Sequence, residues 1–253
     1  MSLSGLQMAA GASKPFSRFG GLFGQSRFGR LLRKLVKIGV ILALIPVALT
    51  LLYIPSVVHP VSTLMLKDLV TFKGYERRWV SIDNIAPALV HSVMMSEDGQ
   101  FCAHQGVDWP AINQVIDDAM DGEGSRGAST IPMQTVKNVY LWSSRSYVRK
   151  VLEIPYALMV NLFWSKKRLM EIYLNIAEWG PGIYGIEAAA QHHFGVSAKN
   201  LSRRQAALLA VTLPNPILRN PAKPSKGLNR LARLNERRAM QAGGYVECVT
   251  DRL

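Results

Sequence analysis

SEDGQFCAHQGVDW, residues 96–109, followed by GASTIPMQTVKN, residues 127–138, is the pair of stretches that decides how this chain reads. Glu97 and Asp98 close an apolar run, and a turn with Phe101, His104 and Gly106 follows. The second stretch gathers two hydroxyls (Ser129, Thr130), two amides (Gln134, Asn138) and Lys137 on a small-residue turn that leads into a helix. A third block, Arg149-Lys150-Val-Leu-Glu153, adds two cations and a carboxylate. Carboxylates supply acid and base chemistry at a sugar. Cations and hydroxyl or backbone donors neutralise phosphate oxygens. A site holding both suits sugar transfer from a phosphate-linked donor.

Each block has a plain structural alternative. A carboxylate at a helix C-terminus faces the negative end of the helix dipole, which with partial burial favours its protonated form. That suits Glu97 as a general base, yet a solvated acidic helix end reads the same way. Gly127-Ala-Ser-Thr before a helix resembles an anion nest, and equally an ordinary N-cap. Arg149, Lys150 and Glu153 stand at i, i+1 and i+4, so Glu153 can face both cations. Residues 151–164 are apolar apart from Glu153 and Asn161, and a lone carboxylate there is costly unless it is paired or used. His104 reads as a structural hydrogen bond in a turn. His192 and His193 are adjacent, point about 100° apart on a helix and do not chelate together. No metal site is expected.

The 253 residues suffice for one well-packed domain with a tail. Formal net charge is +13, unevenly spread: residues 1–37 hold Lys14, Arg18, Arg27, Arg30, Arg33, Lys34 and Lys37 and no acid. This tail reads as disordered. Ile38 to Val58 carries no charge, and about 21 residues of helix match a bilayer core of about 30 Å. A transmembrane anchor over 38–58 is therefore expected, with Pro55 and Pro60 marking its exit. The basic tail predicts a cytoplasmic N-terminus and places 59–253 outside the cytoplasm. The anchor explains much of the charge, so nucleic acid is not an expected partner. Cys102 and Cys248 lie far apart without metal spacing; two free thiols are expected, with a disulfide between them the alternative outside the cytosol.

Beyond residue 81 the pattern is mainly α. Ser81 or Asp83 is expected to cap a helix through Pro87 to Glu97, and further helices are expected over 109–120 and 130–142. Asp121 to Gly127 reads as a mobile loop. Ser143 or Ser144 is expected to cap the helix carrying Glu153, and Pro155 to kink or restart it. Ser165 opens a strongly amphipathic helix, and another runs from about Gly182 to Gly195. Ser202-Arg-Arg-Gln205 is a capping box, and a basic helix spans 229–241.

In order, SEDGQFCAHQGVDW, GASTIPMQTVKN, RKVLE, KRLMEIYLNIAEWGPGIYGIEAAAQHHFG and ALLAVTLPNP resemble the motifs of the peptidoglycan glycosyltransferases, or biosynthetic transglycosylases, of the monofunctional membrane-anchored kind. The resemblance covers about residues 82–216. It implies a lysozyme-like, mostly helical two-lobed fold and polymerisation of lipid II into β-1,4 glycan with release of undecaprenyl diphosphate. It implies Glu97 as the general base on the acceptor 4-hydroxyl and Glu153 as a second catalytic carboxylate near the donor diphosphate. Lys137, Arg149 and Lys150 would bind that diphosphate. Asp98, Phe101, His104, Ser129, Thr130, Gln134 and Asn138 would line the substrate cleft. No cofactor is required, a divalent cation (Mg or Mn) at the diphosphate being the one candidate. The implied partners are lipid II, the growing glycan, the bacterial inner membrane and other cell wall synthesis proteins. Two positions depart from the pattern: Pro132-Met133, and Asn161 where a further Glu is common. A glycan-cleaving hydrolase and a glycan-binding scaffold are the rivals. A penicillin-binding transpeptidase domain is not, because the chain lacks SxxK and KTG.

Overall fold

The computed structural model describes residues 27–122, 127–144 and 146–250. It is mainly helical, with helices α1 (Arg27–Leu52), α2 (Thr63–Val70), α3 (Pro87–Glu97), α4 (Trp109–Met120), α5 (Ile131–Tyr140), α6 (Tyr147–Phe163), α7 (Lys166–Ile176), α8 (Ile186–Phe194), α9 (Arg203–Ala210) and α10 (Lys226–Met240). Three short strands, β1 (Glu76–Arg77), β2 (Glu178–Gly180) and β3 (Ile183–Tyr184), form a sheet in the order β1-β3-β2. β1 runs parallel to β3, and β2 antiparallel to it.

The chain divides into two compact units, 1–45 and 46–253. In the first, the described part is the beginning of α1. The basic residues from Arg30 to Lys37 are helical rather than part of a disordered tail; residues 1–26 lie outside the described residues. Phe28–Leu52 is long and apolar enough to cross a membrane. The helix ends at Leu52, six residues before the expected exit, because the chain turns at Pro55.

In the second unit, two sets of helices pack together; α3, α5, α6, α7 and α9 share one apolar core, and a second, smaller cluster joins α9 to α10. One set is α3, α9 and α10; the other is α5, α6 and α7. The last turn of α1 is seated on the second set. Thr50 is fully buried; its hydroxyl lies 2.8 Å from that of Tyr140, and its carbonyl accepts from Trp164 Nε1 at 2.8 Å. Arg168 on α7 then holds the outgoing chain by its carbonyls: Nε donates to Tyr53 O, and Nη2 to Pro55 O and Val58 O.

Several boundaries follow their sequence signals. Asp108 caps α4, Ser165 caps α7, and Ser202 with Gln205 forms the capping box of α9. Four expectations are corrected. Ser81 opens a 3-10 turn, Ile82–Asn84, so α3 starts at Pro87 after Ala86 without a side-chain cap. Pro155 does not break α6. Proline deprives the carbonyl four residues back of its partner, and that carbonyl belongs to Val151, an exposed residue that does not need an intrahelical partner to stay out of the core. α7 is amphipathic in sequence but has no solvent face: from Arg168 to Ile176 it is buried all round. Its polar groups are satisfied inside. Glu171 accepts from Arg168 and from Ile82 N, and Asn175 pairs with both backbone groups of Val80. Finally, Cys102 and Cys248 form a disulfide with Cα atoms 5.6 Å apart. Their separation of 146 positions hid this; α10 and the turn after it return the tail to the loop behind Glu97.

Candidate active site

Glu97 is the last residue of α3, and the loop after it is tied to the start of α5. Asp98 is buried; its Oδ2 accepts from Ile131 N, and both its oxygens lie about 3 Å from His104 Nε2. Gly106 N donates to His104 Nδ1 at 3.1 Å, so the ring proton sits on Nε2 and points at Asp98. Thr130 caps α5 and also donates to Gly106 O at 2.7 Å. Gly106 has φ +98°, and a Cβ there would lie 2.6 Å from Ala157 O, so only glycine lets the loop close on α6. Lys166 donates to His104 O and lies over the Phe101 ring; burial pushes its ammonium down to about 8.

Asp98, Phe101, His104 and Thr130 are interior supports with almost no surface to offer a ligand. The start of α5 is not an open anion nest, because the Asp98 carboxylate and the Thr130 hydroxyl already satisfy its first N–H groups. Asn138 is likewise buried.

Glu97 itself has neutral hydrogen-bond partners. Oε2 accepts from Gln134 Nε2 at 3.1 Å, and Oε1 from its neighbour Ser96 at 3.3 Å. Burial pushes its carboxyl above the usual carboxylate range. The bonds from Gln134 and Ser96, and the charges of Lys137 and Arg219, pull it part of the way back.

Glu153 has a different setting. It is buried on α6, one oxygen bonded to Arg149 Nη1 and the other accepting from Lys150 Nζ at 2.9 Å. Lys150 also donates to Ser129 Oγ at 2.7 Å, and Arg149 Nε to Ser144 O at 2.8 Å. Ser144 thus holds a cation instead of capping α6, whose N-cap is Ser146. Glu153 orients two cations and presents almost no surface of its own. Lys137, one α5 turn beyond Gln134, lies between the two carboxylates. Burial lowers its pKa, Glu153 and more weakly Glu97 favour its charged form, and Arg149 and Lys150 oppose it.

The structure therefore brings Glu97, Ser129, Gln134, Lys137, Arg149, Lys150 and Glu153 into one region. The sequence reading missed Tyr173, whose hydroxyl donates to Gln134 Oε1, and Arg219, whose charge reaches Glu97. A polar residue at a core position of α7 was the available signal for Tyr173; Arg219 carried none. Among the described residues no cluster of three or more His, Cys, Asp or Glu side chains has a metal-binding arrangement. Glu153, the carboxylate among the cations, is already paired twice. The residues present do not fit a protein-held divalent cation.

The site is thus a half-buried carboxylate beside a cluster of cations on a mainly helical fold. The transglycosylase family model matches residues 65–241, and the chain belongs to that family. It is 68% identical over 221 residues to a biosynthetic peptidoglycan transglycosylase of Mesorhizobium japonicum, covering 87% of this chain and 94% of the relative. A relative of the same name in Rhizobium meliloti is 64% identical over 219 residues, with 87% and 93% covered. One in Brucella suis is 63% identical over 214 residues, with 85% and 96% covered.

Proposed function

We propose that this chain is a peptidoglycan glycosyltransferase that polymerises lipid II into β-1,4 glycan at the outer face of the bacterial cytoplasmic membrane. The observation that carries the reading is the electrical asymmetry of the site. Glu97 has neutral hydrogen-bond donors and a raised pKa, whereas Lys137, Arg149 and Lys150 gather at the other end. In this reading the acceptor 4-hydroxyl oxygen attacks the donor anomeric carbon and its proton passes to Glu97. The bond to the diphosphate breaks, and its electron pair leaves with undecaprenyl diphosphate. The three cations take up the developing negative charge, which is where preorganised electrostatics contributes most. Glu153 keeps two of them in place. No step is routed through a metal ion.

The rival with a specific observation behind it is a glycan-cleaving enzyme, since a carboxyl with a raised pKa also suits a general acid. A diphosphate needs no such proton to leave but needs positive charge to receive it, and the cation cluster favours transfer. Two features support the location. Phe28–Leu52 suits a single membrane span with its basic end in the cytoplasm, and the Cys102–Cys248 disulfide suits an oxidising compartment. Labelled lipid II given to the purified protein should yield muramidase-sensitive polymer. Cleavage of finished glycan without polymer would transfer the protein to the hydrolase class.

A further inference from the structure

We infer that Tyr173 is a positioning residue for the catalytic base, acting through Gln134 to hold Glu97 in its ionised form. The inference rests on Glu97 being the base. Tyr173 is 1% exposed and lies on α7, away from any substrate surface. Its hydroxyl donates to Gln134 Oε1 at 3.1 Å, and Gln134 Nε2 donates to Glu97 Oε2 at 3.1 Å. An amide has one accepting end and one donating end, and although a phenol can donate or accept, here its proton lies on Gln134 Oε1, which favours the orientation that turns the NH2 to Glu97. With Oε1 held by Tyr173, the NH2 faces the carboxylate. Were the amide reversed, its oxygen would face Glu97, an arrangement tolerable only when Glu97 carries a proton. The phenol does not lose its own proton in the working range, because burial, with Glu97 and Asp98 nearby, pushes its pKa well above the usual value. Tyr173 thus stays a donor at every pH at which the enzyme works.

The other charged groups acting on Glu97 come from different elements. Lys137 lies one turn along α5, and Arg219 in the segment after α9. Both favour ionisation but neither selects the orientation of the amide, so the relay adds to their effect without duplicating it. Ser96 occupies the other carboxylate oxygen.

The test is a double-mutant cycle on the full-length, detergent-solubilised protein with lipid II, read as kcat, KM and the pH profile of kcat/KM. Tyr173→Phe keeps the ring and removes the proton. It should lower kcat about tenfold with little change in KM, the scale of one misaligned hydrogen bond to a charged group. The acidic limb should move to higher pH. Gln134→Leu should lower kcat further, and adding Tyr173→Phe to it should change nothing more, because the phenol acts only through the amide. An unmoved acidic limb in Tyr173→Phe, or additive losses in the double variant, would overturn the inference and leave Tyr173 a packing residue. Glu97→Gln separates this from the base assignment. If that variant polymerises normally, the base reading itself falls; if it is inactive while Tyr173→Phe keeps the wild-type profile, only the relay falls.

Discussion

The two ends of the site hold chemically similar carboxylates in opposite surroundings. Glu97 is flanked by an amide and a hydroxyl, and Glu153 is gripped by a guanidinium and an ammonium. Glu97 is half-buried and Glu153 buried, and the degree of burial alone does not assign their roles. The partners do. Neutral donors leave most of the burial cost in force, which keeps Glu97 poised to accept a proton. Two cations offset that cost at Glu153 and turn it into the fixed centre of a positive platform. Two acids spaced 56 positions apart in sequence acquire different surroundings because of what α5 and α6 bring beside each, and the proposed base and anchor roles follow from those surroundings.

The largest expected effect breaks the base end. Glu97→Gln keeps the shape and should slow polymerisation by roughly 10²–10⁴-fold while lipid II binding persists; near-normal polymer would remove Glu97 from the mechanism. The same variant also tests the burial argument. A folded-state pKa above the unfolded value means that the native state binds more protons between the two, so stability falls as pH rises through that window. Removing the group removes the fall. Glu97→Gln should therefore melt no lower than wild type at neutral pH, and a clear loss of Tm would contradict the setting described for it.

At the charged end, Lys137→Ala, Arg149→Ala or Lys150→Ala should each raise the barrier by roughly 2–4 kcal/mol, the scale of a lost oxyanion donor. Single-turnover rates with lipid II give the answer. Wild-type rates in all three would make them ordinary surface cations. Glu153→Gln should cost less, about tenfold in rate, because both cations remain but are less well oriented. If it costs as much as Glu97→Gln, Glu153 does more than hold its neighbours.

Breaking the Cys102–Cys248 link by Cys102→Ser with Cys248→Ser should destabilise the fold by about 2–4 kcal/mol. Denaturant titration under non-reducing conditions measures it, and unchanged stability would show that the tail holds its place on the Glu97 loop without the bond. The smallest effect is a shape. The pH profile of kcat/KM should have an acidic limb above the ordinary glutamate range, set by Glu97, and a basic limb below the ordinary lysine range, set by Lys137. Limbs at the ordinary values would mean that neither group is as buried during turnover as it is here.

The sequence by itself determined the local helical plan. α7 and α9 start at the residues their capping signals name, since an N-cap acts within one turn. It also determined the apolar segment near the N-terminus, and the blocks that carry Glu97, Lys137, Arg149, Lys150 and Glu153, because carboxylates and cations in apolar surroundings are costly wherever they occur. Only the tertiary structure decided their roles. The resemblance put Asp98 and His104 in the cleft, whereas the closing loop turns them inward onto the start of α5, with His104 making the structural hydrogen bond its own residue pattern suggested. Pro155 read as a break until the exposed face of α6 left Val151 open to water. The two cysteines read as free thiols until α10 returned the tail to the loop behind Glu97. Arg168, Glu171 and Asn175 read as the polar face of an amphipathic helix until the chain after α1 wrapped over them. In each case the deciding partner lies far along the chain, and hydrogen bonds and burial are set by proximity in space, which spacing in sequence does not encode.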